Sequence, residues 1–235
     1  MRVRPGCWQS GDAQHWARAS ARGYSSLDEA ESACKFEKSS RDERPPVEID
    51  DIRDDLSEVL FTEKQIEDRI AELARDIERD YPDGDVLLVG VLKGAVIVMA
   101  DLARELKFHA HIDFMAVSSY GASTQSSGVV KINKDLDTDV AGKKVLLIED
   151  IMDSGLTLSW LVDNMRARGA ASVEVCAMFR KPEAVKIPVD VRYVGFDIPP
   201  AFVVGYGLDY AEKYRNVRGL GVLAPRVYGG ADPHA

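Results

Sequence analysis

The sequence is short of cysteine, of long apolar runs and of positive charge, and each shortage excludes something. Three cysteines in 235 residues, Cys7, Cys34 and Cys176, cannot all pair within one chain and show no metal-ligand spacing. A disulfide scaffold is excluded, and a reducing, cytoplasmic setting is expected. The longest nearly uncharged apolar stretch, Val86–Ala100, is interrupted by Lys93 and is too short to span a bilayer, so no membrane partner is expected. Basic residues number 30 against 39 acidic ones, a net charge of −9. A general nucleic-acid binder would carry a basic surface, so nucleic acid is not an expected partner. A small phosphorylated ligand is not excluded. No internal repeat or low-complexity tract is present. What remains, 46% hydrophobic and 29% charged residues, is the composition of a globular protein.

The charge is unevenly spread. Residues 1–45 hold eight Lys/Arg and seven Asp/Glu, which leaves 22 of the basic and 32 of the acidic residues to the other 190. The first 26 residues have one acid, Asp12, four arginines and no sustained helical or strand period. This composition fits either a targeting segment or a poorly ordered extension. The run from Arg41 to Pro46 reads as a linker, giving an N-terminal extension over 1–46 and one domain over 47–235.

Within that domain the pattern is regular. Thr62 and Gln65 form a capping-box signal, and Ile66, Ile70, Leu73, Ala74 and Ile77 recur at helical spacing up to Asp80. Val86–Leu92 is a continuous apolar run, as in a strand buried on both faces. A helix is expected over Ala95–Leu106, strands over His111–Ser118 and Val129–Asn133, and a buried strand over Lys144–Ile148. A helix over Thr157–Arg168 and a strand over Ser172–Phe179 follow. Alternating strands and helices predict an α/β fold, a parallel twisted sheet flanked by helices.

The chemistry is concentrated in Val145–Thr157. A hydrophobic strand leads into adjacent acids, Glu149 and Asp150; a third acid, Asp153, follows, and Ser154, Gly155, Leu156 and Thr157 lead into a helix. In open α/β sheets ligands bind at the carboxyl ends of strands. Free amides and hydroxyls at a helix N-terminus, with the helix dipole behind them, form a cradle for a phosphate. The acids would repel a phosphate unless they face sugar hydroxyls or a divalent cation. Taken singly, Asp153 or Ser154 could equally cap the helix.

This segment resembles the phosphoribosyl pyrophosphate signature of the type I phosphoribosyltransferases, and the rest of the chain resembles their hypoxanthine-guanine branch. Leu92-Lys93-Gly94 is similar to that family's pyrophosphate loop, and Ser119-Tyr120 to the serine-tyrosine pair of its mobile lid. Lys181-Pro182 follows the strand that supplies the family's purine-facing lysine. The run from Phe202 to Arg215 is similar to its C-terminal purine-binding segment. The resemblance covers nearly all of 55–223, in order and spacing; residues 1–45 have no counterpart.

The resemblance implies a fold with a small hood formed by terminal segments. It implies a transferase reaction of purine salvage: phosphoribosyl pyrophosphate plus hypoxanthine or guanine gives IMP or GMP plus pyrophosphate, with Mg2+ as cofactor. It further implies that Glu149 and Asp150 hold the ribose hydroxyls and a hydrated magnesium ion, with Asp209 as a second magnesium contact. Asp153 would exchange a proton or hydrogen bond with the imidazole-ring nitrogen of the base. Ser154, Gly155, Leu156 and Thr157 would take the 5′-phosphate, and Lys93, Gly94 and Arg215 the pyrophosphate. Lys181, Phe202 and Val203 would bind the purine. Alternatives stay open for several of these: Lys93 as an exposed strand-end lysine, Arg215 on a solvated helix, Phe202 in ordinary core packing. Tyr120–Gly128 reads either as a closing lid or as a hairpin connection. A homodimer or homotetramer is the family's usual state. A xanthine-preferring transferase is the nearest alternative. A phosphoribosyl-pyrophosphate-sensing regulator on the same fold is disfavoured by the acidic charge of the domain.

Overall fold

A computed structural model describes residues 46–119 and 130–229. Residues 1–45 of the expected extension over 1–46, and the polar stretch Tyr120–Gly128, lie outside the described residues. After a 3-10 segment, Ile49–Asp55, the elements run β1 (Leu56–Phe61), α1 (Glu63–Asp80), β2 (Leu87–Leu92), α2 (Ala95–Glu105), β3 (His111–Ser119) and β4 (Val130–Lys134). They continue with β5 (Lys144–Met152), α3 (Leu156–Ala167), β6 (Ser172–Arg180), β7 (Tyr193–Asp197), β8 (Val203–Val204) and β9 (Leu220–Leu223).

The central sheet has six strands in the order β4-β3-β2-β5-β6-β7. Every pair is parallel except β3–β4, so the expected parallel sheet carries one antiparallel edge strand. Alternation along each strand decides which layer it feeds. Leu88, Leu146, Ile148, Cys176 and Met178 point to one face, where Ile66, Ile70, Leu73, Ala74 and Ile77 of α1 and Val98, Met99 and Leu102 of α2 cover them. Leu87, Val89, Val91, Val145, Leu147, Val175 and Ala177 point to the other, against Leu158, Leu161, Val162 and Met165 of α3. Burial on both faces explains why these strands read as unbroken apolar runs. The α1 start is the expected capping box: Gln65 N–H donates to Thr62 Oγ1, and the Thr62 amide to Gln65 Oε1 at 2.9 Å. At β7, Arg69 of α1 donates to the carbonyls of Gly195 and Val194 at 2.9 and 2.7 Å, tying the helix to the edge strand.

A second sheet, β1-β9-β8, is antiparallel and joins both ends of the domain, as expected of the hood. Phe61 of β1 stacks on Phe196 of β7 with centroids 3.9 Å apart, fastening hood to core. Among the described residues no helix is long and apolar enough to cross a membrane.

Asp113, buried on β3, organises the far side of the sheet. Its carboxylate accepts the amides of Phe114, Asp137 and Thr138 at 2.7, 2.9 and 2.8 Å. Burial pushes the carboxyl up, but these amides and Lys134 outweigh it and hold it below the ordinary range. Its stabilising effect is therefore present above the usual carboxylate pKa and is lost as pH falls through the depressed value. Asp113→Ala, which strands three amides, should cost roughly 1–3 kcal/mol in urea unfolding at pH 7, and less at pH 3.

Candidate active site

Strand order locates the site. The chain leaves β2 toward β3 on one side and β5 toward β6 on the other, so the sheet reverses direction between the neighbours β2 and β5. Such switch points open a crevice at the carboxyl ends of the strands. Two helices begin there, α2 behind Gly94 and α3 behind Gly155, and neither has a side-chain cap.

The α3 terminus answers the question left open for Asp153 and Ser154. The N-cap is Gly155, at φ 81°, and the approach of Ser154 Oγ to Leu156 N is long at 3.5 Å. The first-turn amides thus remain available to an anion. A side chain at Gly155 is impossible for a second reason: a Cβ would lie 2.2 Å from the carbonyl oxygen of Ile187. The 185–187 segment is tied there by the Lys186 and Ile187 amides, which donate to Ser154 O at 3.0 and 3.1 Å. Sequence reasoning missed this segment, which carries no motif of its own.

Strand β5 extends past Ile148 to Met152, so Glu149 and Asp150 lie within the strand rather than beyond it, as the shorter strand would have had them. Glu149 is 8% exposed, and burial, with Asp150 beside it, holds its carboxyl well above the usual carboxylate range. Asp150 is pushed up to about 6, by burial first and by Asp209 in addition, against the Ile151 amide and Arg215, which lower it. The Asp150 carboxylate lies directly over Gly94: a Cβ there would fall 1.5 Å from Oδ2. Only glycine admits this approach of the β2 loop to the end of β5.

Lys93 emerges from β2 after a cis Leu92–Lys93 peptide and is exposed, not enclosed by the apolar run around it. It is not a free strand-end lysine either, because its Nζ lies 3.1 Å from both carboxylate oxygens of Glu212. Arg215 is not on a helix. Its segment is a turn with Ala211, Glu212 and Tyr214 at positive φ. The guanidinium is partly buried, donating to Gly207 O at 2.7 Å and pairing with Asp209 Oδ1 at 2.6 Å. Gly207 underlies the β2 loop, where a Cβ would meet Gly94 O at 2.3 Å. Tyr206, next to it, donates to Asp101 of α2 at 2.8 Å. Lys93, Gly94, Asp150, Asp209 and Arg215 are therefore brought together, and Glu212 and Gly207 join them without having been foreseen.

On the β6 side Lys181 is buried, its Nζ 3.3 Å from Asp153 Oδ2 and its amide on Met152 O at 3.0 Å. Arg180 is turned away, as alternation requires, with a two-pronged ion pair to Asp197 at 2.7 and 3.0 Å. Phe202 and Val203 belong to the hood. Phe202 is 7% exposed in a cluster with Val204, Val217 and Leu223, and its ring meets Tyr210 edge-on at 5.8 Å and Tyr228 at 5.5 Å. Phe202 thus packs within the hood cluster, and Tyr228 is an aromatic neighbour that sequence spacing did not reveal. Ser119 ends β3 opposite Val130, while Tyr120 lies outside the described residues.

A doubly wound sheet thus opens two uncapped helix ends, the acids Glu149, Asp150 and Asp153 and the cations Lys93, Lys181 and Arg215 on one crevice, an arrangement suited to an anionic ligand. Comparison with known proteins gives the class a name. Residues 58–211 match the model of the phosphoribosyl transferase domain. The chain is 56% identical over 180 residues to the hypoxanthine-guanine phosphoribosyltransferase of Mycobacterium avium, covering 74% of this chain and 89% of that protein. It is 50% identical over 177 residues to the enzyme of the same name from Bacillus subtilis, covering 75% and 98%. A crystal structure of a hypoxanthine phosphoribosyltransferase from Staphylococcus aureus superimposes with a TM-score of 0.73 at 43% identity, over 75% of this chain and 96% of that one. The chain belongs to the phosphoribosyltransferase family.

Proposed function

We propose that this protein is a purine-salvage transferase that moves the 5-phosphoribosyl group of phosphoribosyl pyrophosphate to hypoxanthine or guanine, releasing pyrophosphate. The observation that carries this reading is the pair of buried Lys181 with the partly exposed Asp153, beside the N-terminus of α3. A cation able to donate to a 6-oxo group and a carboxylate able to accept a ring proton stand together at the crevice. Similarity to the named enzymes supports the same reading.

The reaction breaks the bond from the anomeric carbon to pyrophosphate. Positive charge grows on the ribose ring and negative charge on the leaving group, and fixed charges placed to meet both lower the barrier. Glu149 and Asp150 face the ribose side; Lys93, the Gly94 loop and Arg215 receive the pyrophosphate. The amides of Gly155, Leu156 and Thr157, with the hydroxyls of Ser154 and Thr157, hold the 5′-phosphate. Asp153 accepts the proton displaced from the imidazole nitrogen of the base as the new bond forms. Phe202 and Val203 form the hood wall beside the base.

A magnesium ion fits these residues. Glu149 and Asp150 are adjacent carboxylates, both held above their ordinary range by burial, and a divalent cation between them and a polyphosphate would relieve that cost. No group of three or more ligand side chains converges among the described residues. Magnesium commonly binds through one or two carboxylates and substrate phosphates. Glu149 and Asp150 would hold it, with Asp209 as a separate, second contact on the pyrophosphate side, and bound there it would neutralise charge on the diphosphate. A homodimer or homotetramer is the expected assembly, and the activity is assigned to 47–235.

Pyrophosphate release measured with magnesium, phosphoribosyl pyrophosphate and a panel of hypoxanthine, guanine, xanthine, adenine and uracil tests the assignment. Turnover with hypoxanthine and guanine and not adenine is expected; preference for xanthine or absence of turnover would overturn it. Lys181→Met should raise KM for hypoxanthine about 10- to 100-fold through loss of one charge-assisted hydrogen bond. KM for phosphoribosyl pyrophosphate should stay within about twofold of the parent, since that ligand is held elsewhere.

A further inference from the structure

Both cations assigned to pyrophosphate meet carboxylates from one short turn. Lys93 Nζ lies 3.1 Å from each oxygen of Glu212, and Glu212 Oε1 lies 3.9 Å from Arg215 Nη2. The same turn holds Glu212 in place. Its amide donates to Asp209 Oδ2 at 2.8 Å, while Asp209 Oδ1 pairs with Arg215. Ala211 and Glu212 take left-handed backbone at φ 50° and 61°, which folds the turn back and brings a residue 119 positions distant in sequence onto Lys93. Among the described residues the Glu212 carboxylate pairs with Lys93 and the edge of Arg215 only, and its side chain is two-thirds exposed.

We propose that Glu212 sets the affinity of the pyrophosphate subsite, as a built-in carboxylate that competes with the diphosphate for Lys93. The inference rests on the assignment of Lys93 to pyrophosphate. A diphosphate entering the crevice must take the ammonium from Glu212, and when pyrophosphate leaves, Glu212 takes it back. The hold on the leaving group is thereby lowered by the strength of the displaced ion pair. That strength is modest, because both partners are exposed to water. The device therefore trims diphosphate affinity rather than abolishing it, and it acts on substrate and product alike.

The test is inhibition by inorganic pyrophosphate, with magnesium, in the parent, Glu212→Gln, Lys93→Met and the double variant. Glu212→Gln should lower the inhibition constant and KM for phosphoribosyl pyrophosphate about two- to fivefold, the range of an exposed ion pair. KM for hypoxanthine and the melting temperature should not move. The gain should shrink in 0.5 M KCl, where such pairs are screened. In the Lys93→Met background the same substitution should change the inhibition constant by less than about 1.5-fold, because the pair it breaks is already gone. An unchanged or higher inhibition constant in Glu212→Gln, with Lys93→Met weakening inhibition, overturns the competition while leaving the subsite intact. Equal tightening with and without Lys93 overturns it too, since Glu212 then acts only through its general field. If Lys93→Met leaves inhibition unchanged, the assignment of Lys93 is wrong and the inference falls with it.

Discussion

Asp153→Asn is expected to lower turnover with hypoxanthine by about 10²–10⁴-fold, the usual contribution of a positioned proton acceptor. Asparagine has nearly the same shape and keeps an oxygen 3.3 Å from the Lys181 ammonium, so the base should still bind. The expected pattern is a collapse of kcat with KM for hypoxanthine changed only severalfold. Pre-steady-state measurements should show no burst of nucleotide, because the chemical step has become limiting. A variant retaining more than half of the parent rate would remove Asp153 from proton transfer and leave it as a partner that orients Lys181.

Asp150→Asn should impair function and improve stability at once. On the proposed placement of Asp150 toward the ribose, loss of its charge is expected to reduce kcat by roughly 10²–10³-fold, comparable to removal of one preorganised electrostatic contact elsewhere. Stability moves the other way. The folded carboxyl titrates at about 6, above its ordinary value of 3.8. A group raised in this way supports folding fully below its unfolded pKa and loses that support as pH rises through the folded one. At pH 7.5 the ligand-free protein therefore carries the whole penalty, and at pH 4 almost none. Asparagine lacks the charge and can still accept the Ile151 amide that Asp150 Oδ1 accepts at 2.8 Å. The melting temperature of the ligand-free variant should exceed that of the parent by about 2–4 °C at pH 7.5, equivalent to about 1 kcal/mol in a domain of this size. The difference should vanish near pH 4. A variant less stable than the parent at pH 7.5 would show that Asp150 organises the strand end by means other than its charge.

How far the sequence was legible depended on how local the signal was. The Thr62–Gln65 box and the apolar stripe from Ile66 to Ile77 lie within one helix, and both were found as read. Buried strands β2, β5 and β6 announced themselves through unbroken apolar runs. The end of β5 was misjudged by four residues because charged Glu149 and Asp150 look like loop, although a strand paired on both sides can carry polar residues where it opens on a crevice. The antiparallel β4 could not be told from a parallel strand, since edge position depends on the pairing of distant residues. Among the site residues, the 149–157 segment was legible because one continuous stretch supplies strand end, acids and helix start. The 205–215 turn was readable only by resemblance. Its folding back depends on left-handed residues that are not glycine, on Gly207 fitting under Gly94, and on the Tyr206–Asp101 hydrogen bond. None of these leaves a periodic mark. Phe202 was ambiguous for a plain reason: a ring that serves as a wall of a site and a ring that fills a core have the same sequence signature.

The hood sheet has a consequence for the order in which the domain is completed during synthesis. Leu56 at one end of the domain pairs with Leu223 at the other, and Val203 and Val204 join the sheet only through β9 between them. The turn after β5 takes its direct contacts from the 185–187 segment, earlier in the chain than β8 and β9. Until β9 leaves the ribosome, β1 has no strand to pair with, and its open edge is exposed for nearly the whole of translation. The wall assigned to the base is for this reason completed only by the last strand of the domain, and that same strand brings Leu220 into the main core.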